Sequence, residues 1–161
     1  MANSFYVDPS RIAGGLTLWW TNDANVSIIE YEKHFIDTKL SVNEEEDWFM
    51  TFIYGPPYNE DKQAFWGSLS NLRSNTSDKW CIIRDSNIVT RPEDKSARIP
   101  FISSQASCYY DFLDRSCLME LLIKGGSFTW SVQRSEDEAI LERLDRVLVS
   151  LEWSILPFET L

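Results

Sequence analysis

Histidine is nearly absent: His34 is the one imidazole in 161 residues. A zinc site built on several histidines is therefore excluded, and nucleophilic catalysis through a histidine base has few options. Cysteine is scarce too. Cys81, Cys108 and Cys117 are odd in number and form no Cys-x-x-Cys pair, so they read as reduced thiols, two of them in the core, not as a disulfide frame. No apolar run approaches the ~20 residues of a membrane span. Met1-Ala2-Asn3-Ser4 is not the basic-then-apolar start of a signal peptide. An intracellular protein is expected, and the triplets Asn25-Val-Ser and Asn75-Thr-Ser then carry no glycosylation reading. Positive charge is also short, with 15 Lys and Arg against 25 Asp and Glu, a net −10. Domains that bind nucleic acid normally show a basic surplus. The balance counts against tight binding to a polyanion, although Arg84, Arg91, Lys95 and Arg98 fall close together in sequence.

Apolar residues, by contrast, are plentiful: 43% of the chain, with seven Trp. Such a chain buries surface instead of staying disordered, and its length suits one domain spanning residues 1–161. Phe5–Val7 and Leu16–Trp20 read as strands, separated by Asp8-Pro9-Ser10 and Gly14-Gly15. Val26–Glu30 follows, then His34–Leu40, where Phe35, Asp37 and Lys39 alternate with Ile36, Thr38 and Leu40 as in a half-buried strand. The acidic run 44–47 reads as a solvated hairpin tip before the strand Trp48–Tyr54.

Tyr54-Gly55-Pro56-Pro57 stops that strand. Beyond it Phe65, Trp66, Leu69 and Leu72 share a helical face, with Asn59 or Asp61 near the helix start. A long polar loop is expected from Asn87 to Pro100. A second helix is predicted over Ser104–Arg115, capped by Ser103 or Ser104, with Cys108, Phe112 and Leu113 inward. Leu118–Ile123 and Phe128–Val132 read as strands of a hairpin turning at Lys124-Gly125-Gly126. The stripe Ile140, Leu141, Leu144, Val147, Leu148 and Leu151 suits a helix, while 144–149 suits a strand equally well. Many strands with interspersed helices point to an α/β arrangement with mixed sheets.

The stretch that carries chemistry is Lys79–Asn87, a short apolar run ending in Arg-Asp-Ser-Asn. It suits a buried strand. On a strand, side chains at i and i+2 point the same way, so Asp85 and Asn87 are expected to leave its end on one side. A carboxylate beside an amide there can grip a metal-bound phosphate or steer a water. The plainer reading is that Asp and Asn simply form a turn.

Several stretches together resemble the endonuclease/exonuclease/phosphatase superfamily, the DNase I-like fold, and within it the endonuclease domain of LINE-type, non-LTR retrotransposon polyproteins. In family order they are Asn3-Ser-Phe-Tyr-Val-Asp-Pro leading into Gly14-Gly-Leu-Thr-Leu-Trp-Trp, His34-Phe-Ile-Asp, Phe52-Ile-Tyr-Gly-Pro-Pro, Trp80-Cys-Ile-Ile-Arg-Asp-Ser-Asn, Phe128-Thr-Trp-Ser and Glu142-Arg-Leu-Asp-Arg-Val-Leu. The resemblance implies a four-layered sandwich of two mixed β-sheets flanked by helices, with 143–150 a strand. It implies a magnesium-dependent phosphodiesterase acting on DNA, nuclear by analogy. Asp85 matches the water-activating Asp and Asn87 its phosphate-binding Asn. Tyr54 sits where the family places a phosphate-contacting group, and Asp145 matches the Asp that orients a catalytic His. The alternatives are a turn pair, a core Tyr and a salt bridge from Asp145 to Arg143 or Arg146.

This sequence departs from the pattern in places. The family's Gly-Asp-Phe-Asn is here Arg84-Asp85-Ser86-Asn87, and Ser86 forfeits the burial of a Phe, on the order of 2 kcal/mol. The domain is expected to be incomplete at both ends, without the metal-binding Glu upstream and the final Ser-Asp-His downstream, leaving the metal ligands unknown. Sheet edges so exposed invite self-association. Three functions compete: a retrotransposon endonuclease remnant with little or no activity alone, an active nuclease completed by flanking sequence or a partner chain, and a non-enzymatic interaction module.

Overall fold

The computed structural model describes residues 2–9, 15–43, 46–73, 78–96, 101–121, 126–135 and 138–154. In chain order the strands and helices are β1 (Ala2–Val7), β2 (Leu16–Thr21), β3 (Val26–Glu32), β4 (Phe35–Asn43), β5 (Glu46–Ile53), α1 (Asn59–Leu72), β6 (Lys79–Asp85), β7 (Lys95–Ser96), α2 (Ser107–Ser116), β8 (Leu118–Glu120), β9 (Trp130–Ser135), β10 (Glu138–Glu142), β11 (Asp145–Ser150) and α3 (Leu151–Ser154). Six strands form the main sheet in the order β3-β4-β5-β6-β11-β8. It is mixed, because α1 carries the chain back between β5 and β6 and lets them run parallel. Its other pairs are antiparallel. The remaining strands make two small antiparallel sheets among the described residues, β1-β2 and β7-β10-β9.

Alternation along the central strands divides the main sheet into two faces. Phe35, Ile53, Trp80, Ile82 and Leu148 meet Phe65, Trp66 and Leu69 of α1 and Tyr109 and Phe112 of α2 in one apolar core. Trp66 is its hub, with the rings of Phe65, Phe112 and Tyr109 at 4.9, 5.1 and 5.2 Å. Each large side chain so buried contributes about 1.5–3 kcal/mol relative to exposure. The opposite face carries Ile36, Phe52, Tyr54, Asp85 and Asp145, which line a cleft beside β2.

α1 begins where the sequence places it, with Glu60 and Asp61 in its first turn complementing the helix dipole. α2 begins later than expected. Ser103–Ala106 form a 3₁₀ turn, and neither Ser103 nor Ser104 caps the helix. Cys108 and Leu113 are half-buried, while Tyr109, missed in the sequence, is fully buried. Of the thiols, Cys81 is in the core, with burial pushing it up to about 12, Cys108 is half-buried and Cys117 is exposed.

Three expectations are corrected. β4 is not half-buried: Phe35, Ile36, Asp37 and Thr38 are all inside. Asp37 is tolerated there because Arg73 pairs with it and the Thr51 hydroxyl donates to it at 2.7 Å. Trp80 Nε1 in turn donates to the Thr51 oxygen at 2.8 Å. Over 140–151 the strand reading holds: the segment is two strands and a helical turn, with the strand expected over 143–150 running from Asp145 to Ser150. The expected hairpin of 118–123 with 128–132 does not form, because β8 pairs with β11 and β9 with β10. Residues 122–125, which hold the end of the first expected strand and most of its turn, lie outside the described residues.

Nor are the described residues 87–96 a plain polar loop; 97–100 lie outside the described residues. Ile88, Thr90 and Asp94 are buried, drawn in by Arg146, itself 3% exposed. Arg146 pairs with Asp94 at 2.9 Å and with Glu120 at 2.7 Å. Burial raises the Asp94 carboxyl, but bonding and attraction to Arg146 outweigh it and hold the group below the usual carboxylate range.

Removing Arg146 would strand two carboxylates. Arg146→Ala is expected to cost about 3–5 kcal/mol in urea unfolding at pH 7. That loss should shrink as pH falls through about 4, where free carboxyls protonate. A loss under about 1 kcal/mol, or one indifferent to pH, would rule out this account of the network.

Candidate functional site

β6 and β11 end together, and their register sets Asp85 directly opposite Asp145. Both carboxylates line a cleft of about 520 Å³ with Tyr54, Ile36, Phe52 and residues of β2. Among the described residues neither forms an ion pair. The cations next to Asp145 in sequence turn elsewhere: Arg146 to Asp94 and Glu120, Arg143 to Glu120 at 3.6 Å. The salt-bridge alternative for Asp145 is thereby set aside. Burial is the main cause raising the Asp85 carboxyl above its ordinary value; the Asn87 N–H opposes it, Asp145 adds to it and Lys62 opposes it.

Past Asp85 the strand does not continue. Asn87 takes a left-handed conformation, φ 49°, which Asn accepts more readily than most residues. Its N–H donates to Asp85 Oδ1 at 2.8 Å, and its Nδ2 donates to Gly55 O at 2.7 Å. The i, i+2 expectation therefore fails in one respect. Asp85 and Asn87 stay bonded, but Asn87 lines a neighbouring depression of about 320 Å³ instead of the Asp85–Asp145 cleft.

Ser86 does more than replace an apolar side chain. It is 2% exposed, and both its N–H and its hydroxyl donate to Leu144 O, at 2.9 and 2.7 Å. Gly55 lies against it so closely that a Cβ there would sit 2.3 Å from Ser86 O. The Gly55 N–H donates to Asp85 O at 2.8 Å. Tyr54 is half-buried, with its backbone bonded on both sides to His34: its N–H donates to His34 O at 2.9 Å, and His34 Nδ1 donates to Tyr54 O at 2.8 Å. His34 also packs edge-on against Phe65, and burial holds its imidazole below the usual range.

A solved structure described as the endonuclease domain of TRAS1, a telomere-specific non-LTR retrotransposon, matches this chain with a TM-score of 0.72. The match covers 94% of this chain and 68% of the other. The chain has a DNase I-like fold. Identity to that domain is 9%, so the likeness is one of fold. A β-hairpin deletion mutant of Staphylococcus aureus beta toxin matches with TM-score 0.46 and 11% identity over 74% of this chain and 44% of its own, too distant to carry argument. No protein-family model and no curated protein matches the sequence.

In this DNase I-like chain, no group of three or more His, Cys, Asp or Glu that could hold a metal is found among the described residues. The cleft nonetheless offers two facing carboxylates that no described cation pairs with. Magnesium often takes just one or two carboxylates from a protein, with water and phosphate oxygens completing its shell. Asp85 and Asp145 offer oxygen donors of the kind such a hard ion takes. No helix among the described residues is long and apolar enough to cross a membrane. Sequence reasoning missed Gly55 and the buried Lys62. The Gly-Pro-Pro stop signalled the first, and nothing in the helical pattern signalled the second.

A carboxyl raised by folding penalises the folded state once it ionises. The penalty is absent below the unfolded pKa, about 4, and is complete above the folded one. Asp85→Asn keeps an oxygen for the Asn87 N–H and removes the charge. It is expected to stabilise the protein by about 0.5–2 kcal/mol at pH 7, with the gain gone by about pH 3. Thermal unfolding across that range measures it, and a variant less stable than the parent at pH 7 would contradict it.

Proposed function

We propose that the chain, as a single endonuclease-type domain, carries a phosphodiester-cleaving site for DNA centred on Asp85 and Asp145. The observation behind this reading is their juxtaposition, unpaired among the described residues, in a cleft of a DNase I-like fold. Asp85 orients the attacking water and accepts its proton. Asn87 positions that carboxylate through its backbone N–H, and its side-chain amide ties the turn to Gly55. Tyr54 presents its phenol to a phosphate oxygen. Asp145 is the second carboxylate. Magnesium, when bound, would be held by Asp85 and Asp145 and would neutralise charge on the scissile phosphate.

Low activity is expected of this chain by itself. The described residues of the cleft include no imidazole, since His34 is engaged with Tyr54 and Phe65. A missing charge-stabilising or acid–base group costs about 10²–10⁴-fold. The net −10 further weakens attraction to DNA. A remnant endonuclease fits these features better than a fully equipped one.

Purified protein is expected to nick supercoiled plasmid slowly in magnesium and not in EDTA, with Asp85→Ala and Asp145→Ala each slower by about 100-fold or more. Calorimetric titration with manganese should show saturable binding that either variant weakens. Nicking that is indifferent to both substitutions would end this reading.

A further inference from the structure

β1 and β2 contain no charged side chain, although the whole chain bears a net −10. Their pairing runs without a register shift from Ala2↔Thr21 to Val7↔Leu16. They form a sheet of two strands, so each keeps one edge unpaired among the described residues. The free edge of β2 runs along the 520 Å³ cleft, because the successive residues 15–19 all line it and side chains alone would contribute only every second one. β1 lies on the other side of β2, with Asn3, Ser4 and Tyr6 exposed, Tyr6 by 67%. Among the described residues, the outer edges of the other two sheets each carry a device against pairing with another chain. β3 has Glu30, Glu32 and a register shift between Ile28 and Glu30. β8 is three residues long and β7 two, and β9 includes Arg134. β1 has six residues and none of these devices.

We propose that β1 is the seam of a twofold dimer, in which the β1 strands of two copies pair antiparallel and join the hairpins into one four-stranded sheet. Charge selects a second copy as the occupant. Two chains of net −10 repel one another, and the uncharged hairpin is where they approach with least repulsion. An axis through Phe5, normal to the sheet, keeps matching residues on matching faces and sets Tyr6 of one copy beside the small Ser4 of the other. It also sends the two Asp8 carboxylates, next after β1, to opposite ends of the seam, about 20 Å apart and beyond the screening length. The unpaired N–H and C=O groups of β1 gain partners, and a two-stranded ribbon becomes a sheet wide enough to add stability of its own. Because β1 and the carboxylate cleft lie on opposite sides of β2, both clefts stay open in the dimer. The inference stands apart from the phosphodiester reading of that cleft.

The experiment is sedimentation velocity of the purified, untagged chain from about 1 to 300 µM, a range suited to a small interface. The parent is expected to pass from monomer to dimer with a midpoint on the order of 10 µM. Dimerisation should tighten as salt rises from about 50 to 500 mM, because screening relieves the repulsion between copies. Tyr6→Lys sets two ammonium groups about 7 Å apart across the seam and should weaken dimerisation about tenfold or more. Ile29→Lys, at an exposed position of β3, makes the same change of net charge and should dimerise within about twofold of the parent. Hydrogen exchange at the two ends of the concentration range needs no variant and keeps the test decisive if Tyr6→Lys does not fold. Amides of residues 2–7 should slow in the dimer while those of β3 keep their rates. A parent that stays monomeric or grows past a dimer, a dimer indifferent to folded Tyr6→Lys, equal losses in both variants, weaker association at high salt, or unchanged exchange in β1 overturns the proposal.

Discussion

Asp145 faces Asp85 because β11 pairs with β6 in a register that also sets Leu148 against Ile82 and Val149 against Cys81. A slip of one residue would turn every side chain of β11 to the other face. It would expose Leu148 and drive Asp145 into the helix-covered core. The register is held by more than apolar matching. Arg146 reaches Asp94 in the segment after β6 and Glu120 at the end of β8, joining three separate stretches. The catalytic proposal therefore depends on a cation that never enters the cleft.

The same strand sorts its charges by parity. Arg146 points to the helix side, where two acids and the Tyr109 ring receive it. Asp145, one residue earlier, points to the cleft, where no cation bonds it among the described residues. Had the order been reversed, the acids of the helix face would have been left unmatched in a dry environment. Alternation, instead of any special feature of Asp145, concentrates negative charge where a cation and a phosphate would meet.

Much of this was legible in advance where period and punctuation agree. Residues 59–72 form a helix because four apolar positions share one face and Pro56-Pro57 precedes them. Asp85 and Asp145 were identifiable as site candidates because a strand ends at the first and the landmarks around the second keep their order. What escaped was set by partners distant in sequence. No local pattern distinguishes one helix from the pair β10 and β11 over 140–151, since the decision belongs to β6, β8 and β9. The inward fold of Ile88–Asp94 depends on Arg146, more than fifty positions away. Asn87 was placed on the Asp85 side by strand geometry, and a left-handed residue supported by Gly55 O redirected it.

Lys62 and the acid pair make sense together. A lysine and a carboxylate drawn toward the interior relieve each other's desolvation where they meet. Here Lys62 and Asp85 attract one another but do not bond. Between the two depressions stands the Asn87 turn, fixed on one side to Asp85 Oδ1 and on the other to Gly55 O. Gly55 cannot shift toward Ser86, whose backbone it already touches, and Ser86 is anchored to Leu144 at the root of β11. The turn thus fixes one oxygen of Asp85 where β6 ends. The other oxygen of that carboxylate stays on the side of Asp145, so the geometry of the acid pair is set by one residue of positive φ and by the glycine that receives its amide.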